Sequence, residues 1–521
     1  MVQDERIDKW KSQGLLEPCY ILDRLEIEEA VNPDTEKVPN GMKDFDESAF
    51  VSFLCDKGGL PKSCRDFGHL IYSVVAYLSK TPFYPQPGEQ VPSHLCAVQI
   101  YRGLAWALPE VHRRLIGAGG SSRSRTLADH RRLLFQSLAT TTHNEAYDPV
   151  EAQRRAALNA QFEPDPFYQN PDWLFINRDD DGDEMFHDVL DVLHTTQPGI
   201  SFPYGTVPRD DFREYAKTLT KGAPKFDTLA VPLDRLTTFV TFLLALQFEH
   251  QTPGEPIPSQ YEEAAKDIVA SFRKDANADI ITWPGFDDAL KQMPFLFDPL
   301  YRCLTAAFLK EMPFVISGVW IAPTPPEDSF MTLPRLSQLA TMVNQDVDFE
   351  NFGRAHQWNT GIRPTAGVLA SFMKTMPDLS ILTMYGLSAT GEKYIFGVFK
   401  PVDIEEEKEA AEREAQRETS DGEEDEEEQY RLVAREMDPI HDWVELSNVI
   451  RFPARPIFFV LSPAQRVVRF KDEPRVVDDR LHFGDALTIS NDGTASIGTG
   501  DTAILIKTKA VEIWGETSTR T

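Results

Sequence analysis

The sequence predicts an α+β protein: a mostly helical N-terminal half, followed by an antiparallel β-sandwich flanked by helices. Up to about residue 330 the apolar residues recur at helical spacing, as in Phe67–Lys80, where Leu70, Val74 and Leu78 share one face. Beyond Pro334 short runs rich in Ile, Val, Phe and Thr alternate with Gly, Pro, Asn and Asp. That second pattern is typical of an antiparallel sheet or sandwich.

These patterns predict three regions, since a chain of 521 residues exceeds the size at which a single core keeps growing. A helical region covers 1–164, a second helical region with an EF-hand-like loop covers 165–330, and a β-rich region covers 333–521. The longest apolar stretch, Leu236–Phe248, is shorter than the roughly 20 residues that span a bilayer. It predicts a buried helix, and we expect no transmembrane segment.

Local signals refine the two halves. Ser259, three residues before Glu262, has the spacing of a helix N-cap. Seven segments of the last region are predicted as strands: LSILTMYG, EKYIFGVFKP, RPIFFVLS, RVVRFK, DALTIS, TAILIKT and AVEIWG.

An acidic insertion at 404–430 separates the second predicted strand from the third. Residues 404–428 hold fourteen acidic side chains and three basic ones. Because like charges cannot be buried together, we expect a loop that leaves the sheet at its edge. Its first half is predicted to be partly helical, and its second half, TSDGEEDEEE, is predicted to be disordered. The insertion is either an arm that engages basic partner surfaces or a tolerated insertion that keeps the sheet edge soluble.

Composition excludes some classes of protein. The formal net charge of −29 argues against nucleic-acid binding, which depends on cations that neutralise phosphates. The five cysteines are odd in number and form no CxxC pair, which favours a reducing compartment. The N-terminus has neither an apolar signal segment nor a glycine at position 2. A cytoplasmic, monomeric protein is therefore expected.

The segment NRDDDGDEMFHD, residues 177–188, has the ligand spacing of an EF-hand calcium loop. Such loops place oxygens at alternate positions, a glycine at the sixth, and a bidentate carboxylate at the twelfth. An acidic first turn on the following helix is the alternative, because carboxylates are favourable near the positive end of a helix dipole. The candidate calcium ligands are Asn177, Asp179, Asp181, Asp183 and Asp188.

Other chemical motifs are weak. The histidines form no HExxH or HxH pair, so no zinc site is predicted. The segment GLSATG, which contains Ser388, lacks the GxSxG pattern of a nucleophile elbow and is predicted to be a turn between two strands. Ser420 lies among acidic residues and is a candidate for phosphorylation by an acidophilic kinase, with an unmodified loop as the alternative.

The order of the C-terminal strands resembles the TLDc domain. A strand with a Phe-Gly-x-Phe signature is followed by one with an F-x-L-S pattern, a turn into an A-L-x-I strand, and an E-x-W-G ending. The N-terminal segment 50–106 is similar to the start of the restriction of telomere capping protein 5 family. The matching TLDc positions are Phe396, Gly397, Phe399, Phe459, Leu461, Ser462, Gly484, Ala486, Leu487, Ile489, Glu512, Trp514 and Gly515.

This resemblance implies a sandwich of two antiparallel sheets and no catalytic centre. It further implies a non-enzymatic regulator that binds the vacuolar proton-pumping ATPase, modulates its assembly and is linked to oxidation resistance, at most peripheral at the vacuolar membrane. No cofactor is implied apart from the calcium that the loop suggests. Two alternatives remain open: an enzyme, either hydrolytic or redox-protective, whose site is not visible in the sequence, and a calcium-responsive adaptor.

Overall fold

A computed structural model describes most of the chain outside several loops and the acidic insertion. The described residues are 5–25, 27, 31–34, 45–57, 59–83, 92–109, 111, 127–142, 150, 184–198, 207–220, 228–248, 256–275, 278–310, 322–343, 349, 352–358, 364–375, 380–400, 457–469, 475–498 and 503–516.

Fourteen α-helices lie in the described part of the chain, nearly all of them before the sheet. They are α1 Glu5–Ser12, α2 Pro18–Asp23, α3 Glu47–Asp56, α4 Gly68–Leu78, α5 Ala97–Ala107, α6 Leu127–Leu138, α7 Glu184–Thr195, α8 Arg213–Leu219, α9 Leu233–Ala245, α10 Glu262–Ala270, α11 Trp283–Gln292, α12 Asp298–Phe308, α13 Leu333–Ala340 and α14 Ala366–Thr375.

Fifteen strands accompany these helices over the same described ranges. They are β1 Phe45–Asp46, β2 His94–Leu95, β3 Thr141–Thr142, β4 Leu229–Pro232, β5 Ile280–Thr282, β6 Phe352–Trp358, β7 Ser380–Ser388, β8 Lys393–Lys400, β9 Ile457–Ser462, β10 Arg466–Arg469, β11 Arg475–Val477, β12 Arg480–Phe483, β13 Leu487–Ser490, β14 Thr494–Ile497 and β15 Ile504–Glu516.

The predicted helices form where the apolar spacing placed them, within a few residues. Segment Phe67–Lys80 contains α4, and the stretch Leu236–Phe248 lies mostly in α9. Both helices are buried on most sides, and the ring of Phe67 lies 5.1 Å from that of Phe239 between them. Aromatic contacts of this kind add to the energy of apolar burial. The Ser259 cap is wrong: Ser259 lies in a 3₁₀ turn, Pro258–Tyr261, and no side chain caps α10.

One apolar core runs through both helical regions. The short sheet β3-β4-β5 pairs Thr141 with Ala230 and Ala230 with Thr282, so it links segments from both regions. Helices α4 and α5 approach closely because Gly103 has no side chain; a Cβ there would meet the carbonyl of Val75. The core contains side chains from both predicted helical regions. Residue 164 lies outside the described residues, so the division there stays a prediction from sequence.

The C-terminal strands form one connected antiparallel sheet of ten strands. Its order is β10-β9-β8-β7-β15-β14-β13-β12-β11, and β6 pairs with the last part of β15. Strand β15 is long and irregular near Thr508: its first residues pair with β14 and its last residues pair with β6. The α+β class, with a helical N-terminal half and a C-terminal sheet, is confirmed.

The sheet buries both faces of its central strands. One face of β7, β8 and β9, which includes Phe399 and Leu461, joins the core of the helical half. The opposite face, which includes Phe396 and Phe458, packs with inward side chains of β12, β13 and β14 such as Leu487. Burial on two faces explains why β8 and β9 are almost continuously apolar in sequence.

The acidic insertion joins two neighbouring strands, as the sequence predicts. Strand β8 ends at Lys400, strand β9 begins at Ile457, and the two pair directly, with Phe399 opposite Ile457. The predicted helix and disorder within the insertion, together with Ser420, lie outside the described residues.

Deletion of Glu405–Glu428 is expected to change the free energy of unfolding by less than about 1 kcal/mol. The β8–β9 pairing does not include these residues, and the entropy of closing a loop changes slowly with loop length. Urea unfolding of the full chain and the deletion variant gives the difference. A larger loss would mean that the insertion packs on the folded protein.

Candidate functional site: the motif residues and the distal sheet face

Most of the TLDc-like residues lie inside the protein. The side chains of Phe396, Phe399, Phe459, Leu461 and Trp514 are all nearly inaccessible. Gly397 faces the backbone of Leu382 and the ring of Phe459, where a Cβ would not fit. Gly484 has φ +54°, and Gly515 lies at the end of β15. These positions therefore specify the packing of the sheet.

Glu512 is the charged member of the set, and it is fully buried. Its Oε2 accepts hydrogen bonds from Ser329 Oγ at 2.8 Å and from Trp514 Nε1 at 3.1 Å. Its Oε1 faces Arg354 Nη1 at 3.3 Å and Gln357 Nε2 at 3.4 Å. A buried carboxylate needs such donors to offset its lost hydration.

The Glu512 contacts join three parts of the chain. Gln357 lies on β6 directly opposite Glu512, and Arg354 is on the same strand. Arg354 also donates to Asp328 at 2.7 Å, and this bond is the first cause of the lowered pKa of that carboxyl. Ser329 and Asp328 belong to the segment that enters the sheet region from the helical half. The motif glutamate thus fastens that segment to β6 and β15.

A second polar contact ties strand β9 to the helices. Arg335 on α13 donates to Asp267 on α10 at 2.7 Å, and Gln338 donates to the carbonyl of Leu461 at 2.7 Å. The backbone N–H of Gln465 donates to the carbonyl of Asp267. Burial raises the pKa of Asp267, although Arg335 and the hydroxyl of Ser462 act in the opposite direction. The F-x-L-S motif therefore lies at the junction between the two halves.

The predicted calcium loop lies mainly outside the described residues. Asn177, Asp179, Asp181 and Asp183 are among those not described, and α7 begins immediately afterwards at Glu184. In the described ranges, no three His, Cys, Asp or Glu side chains converge as a metal site requires. Calcium binding stays a prediction.

Asp188, the last candidate ligand, lies inside the helical core. Its Oδ1 and Oδ2 accept hydrogen bonds from Arg132 Nη2 at 2.7 Å and Nη1 at 2.8 Å, and both side chains are buried. Gln136 accepts a further bond from Arg132. Such two-point pairing is the strong form of an Arg–carboxylate contact. In the described residues Asp188 is thus a partner of Arg132 in the helical core.

A neighbouring buried pair extends this arrangement along α7. Arg209 Nε donates to Asp191 at 2.6 Å, and its Nη2 lies 3.1 Å from His187 Nδ1. Burial, aided by the positive charge of Arg209, lowers the pKa of His194 on the same helix. The inward face of α7 therefore holds the helices together through paired charges, a role that its apolar pattern did not reveal.

The outer face of β11–β14 and the start of β15 carries half-buried and exposed side chains; we call it the distal sheet face. The register aligns His482, Thr488, Ser496 and Leu505 in one row. The next row aligns Arg480, Ser490, Thr494 and Lys507. Residues between these positions point inward to the sheet core.

The distal sheet face combines an exposed leucine with positive charge. Leu505 is 60 % exposed. Lys507 is exposed two residues further along the same strand, Arg480 is exposed three strands away in the next row, and strands β11–β14 contain no Asp or Glu. The acids of this part lie in the turns, at Asp478, Asp479, Asp485 and Asp492. An exposed apolar side chain beside a cation is suited to a partner surface with an acidic rim.

Comparison with protein-family models and with curated proteins finds no match to this chain.

Ser388, which the sequence analysis weighed as a nucleophile, begins the β7–β8 turn and bonds to Thr390 at 2.7 Å, as a turn residue does. Within the ranges that the structure describes, no helix has both the length and the apolar character needed to cross a bilayer.

Sequence reasoning predicted β13 and the start of β15 but missed three other strands of the distal sheet face. Strands β11, β12 and β14 are three or four residues long and contain polar residues, so they fall below the length at which alternation is recognisable. The dipeptide Asp478–Asp479 was one available signal, because aspartate tolerates the positive φ angles that a tight hairpin turn requires and that both residues adopt here.

Proposed function

We propose that this protein is a non-enzymatic regulator that docks on the vacuolar proton-pumping ATPase through its distal sheet face. In this role it modulates assembly of the pump from the cytoplasmic side, at most peripherally at the vacuolar membrane, and contributes to oxidation resistance. The observation that carries the docking role is the exposed Leu505, next to Lys507, on the distal sheet face. The TLDc resemblance is what points to the pump as the partner.

The burial of the motif residues supports docking over catalysis. Glu512, the ionisable side chain of the motif, has no exposed surface and four hydrogen-bond donors around it. A general acid or nucleophile must reach its substrate, so this carboxylate fits a structural role. The motif then preserves the sheet, and the sheet presents the docking residues.

Leu505→Asp is expected to reduce recovery of proton-pump subunits at least tenfold. A central exposed apolar residue is the type of side chain on which interfaces depend, and a carboxylate there would also repel an acidic rim. The measurement is affinity capture of the tagged full chain at physiological salt, with the pump subunits quantified in the eluate.

Val98→Asp provides the matched control, because Val98 is 46 % exposed on α5 of the helical half. This variant should recover the pump as the unchanged chain does. Equal recovery by Leu505→Asp would contradict docking through the distal sheet face. Failure of the unchanged chain to recover any pump subunit would contradict the choice of partner and favour the enzyme alternative.

A further inference from the structure

A surface cleft of about 350 Å³ lies in the helical half, away from the sheet. It is formed where the start of α4, the start of α9 and the end of the α6 segment meet. Its volume is at the lower end of the range for small-molecule sites. Its lining is His69, Leu70, Thr140, Pro232, Asp234, Arg235 and Thr238.

Arg235 is the half-buried cation of this cleft. Its Nη2 donates to Ser73 Oγ at 2.7 Å, while its buried Nε has no hydrogen-bond partner among the described residues. Burial lowers the pKa of Arg235, and the adjacent Asp234 counteracts this only in part. A guanidinium carries five N–H donors in a planar fork, so the two N–H groups of the accessible Nη1 and one of Nη2 remain for a ligand.

The acid nearest to Arg235 does not pair with its guanidinium. Asp234 is exposed, and its Oδ1 accepts the backbone N–H of Arg235 at 2.8 Å. Ion pairs elsewhere in the described helical half show the contrast: Arg132, Arg209 and Arg131 each contact a buried carboxylate. Arg235 therefore differs from these residues in facing open cleft volume.

His69 and Thr140 are the other residues of the cleft that can donate to an oxyanion, whereas the carboxylate of Asp234 repels one. His69 and the hydroxyls of Thr140 and Thr238 are exposed on its walls. The Thr238 hydroxyl donates to the carbonyl of Asp234, so one of its lone pairs remains as a contact for a ligand proton or water. The start of α9 adds a weak positive field.

We propose that this cleft binds a phosphate monoester, with Arg235 as the residue that pairs with its oxygens. An N–H of Nη1 and the remaining N–H of Nη2 can donate to two oxygens of one phosphate, which is the forked geometry of arginine recognition. A small phosphorylated metabolite and the headgroup of phosphatidic acid share this chemistry, and the cleft is open enough to admit either one.

The experiment is a calorimetric titration of the full chain with glycerol 3-phosphate and inorganic phosphate at constant ionic strength. In parallel, sedimentation measures binding to phosphatidylcholine vesicles with and without phosphatidic acid. We expect saturable binding to at least one phosphate probe, and Arg235→Gln should weaken it at least tenfold because a charge-assisted bidentate contact is lost. Binding to the soluble probes identifies a metabolite, and binding to the vesicles alone identifies a lipid headgroup.

Arg102→Gln is the matched control, since Arg102 is also half-buried with an unpartnered Nε and a pKa lowered by burial, yet it does not line the cleft. It should leave the affinity unchanged. His69→Glu, at an exposed position that folding tolerates, should weaken binding severalfold by placing a negative charge in the cleft. No saturable binding to any phosphate probe, or equal affinities for Arg235→Gln, His69→Glu and the unchanged chain, would overturn the proposal.

Discussion

Asp188→Ala is expected to lower the free energy of unfolding by about 3–5 kcal/mol, because it removes the partner of a buried charge. Arg132 would keep its positive charge with 1 % of its side chain exposed. Its ion pair with buried Asp129, at 3.8 Å, is longer than the two hydrogen bonds that the change removes. Water cannot replace the two lost hydrogen bonds in this interior. The loss should therefore exceed that of an ordinary surface change severalfold.

Urea unfolding followed by circular dichroism gives this free energy. Glu214→Ala is the control, since Glu214 is a largely exposed acid in the same half and pairs only with exposed Lys217; it should change stability by about 0.5 kcal/mol at most. The double variant Arg132→Met, Asp188→Leu should recover part of the lost stability, because apolar residues of similar size can replace a buried pair, while Asp129 loses its contact with Arg132. A loss below about 1 kcal/mol in Asp188→Ala would show that the pair does not hold α6 and α7 together.

Glu512→Ala is expected to lower the free energy of unfolding by about 2–4 kcal/mol. The change leaves the Ser329 hydroxyl and the Trp514 indole N–H without their acceptor, and it leaves Arg354 with Asp328 alone. The expected local effect is release of the segment that holds Asp328 and Ser329 from the sheet. The consequence is a looser junction between the helical half and β15.

Two measurements separate the local effect from a general loss of stability. Urea unfolding reports the total, and limited chymotrypsin proteolysis reports whether cleavage after Phe330, whose ring packs on Tyr385, is faster under native conditions. Glu512→Gln, which keeps an acceptor oxygen, should cost less than Glu512→Ala. Asp485→Ala, at an exposed turn of the same sheet, should have almost no effect. Unchanged proteolysis in Glu512→Ala would contradict the fastening role.

Much of the fold could be predicted because local patterns were strong. The stretches around α4 and α9 are long and apolar, and the β8 and β9 segments are rich in β-branched and aromatic residues. The position of the acidic insertion between β8 and β9 followed from its charge together with the two predicted strands on either side. By contrast, TAILIKT and AVEIWG were predicted as two strands and form the single strand β15. Its change of pairing partners near Thr508 depends on strands that are distant in sequence.

The sequence by itself determined the α+β class, the helical N-terminal half, the main strands and the place of the acidic insertion. These depend on periodicity, propensity and charge within short windows. The tertiary structure decided the partners of the buried charges. It paired Asp188 with Arg132, surrounded Glu512 with donors from three segments, and left Arg235 facing a cleft. The physical reason is that a buried charge is stabilised by whichever groups the fold brings within hydrogen-bonding distance, and these groups are far apart along the chain.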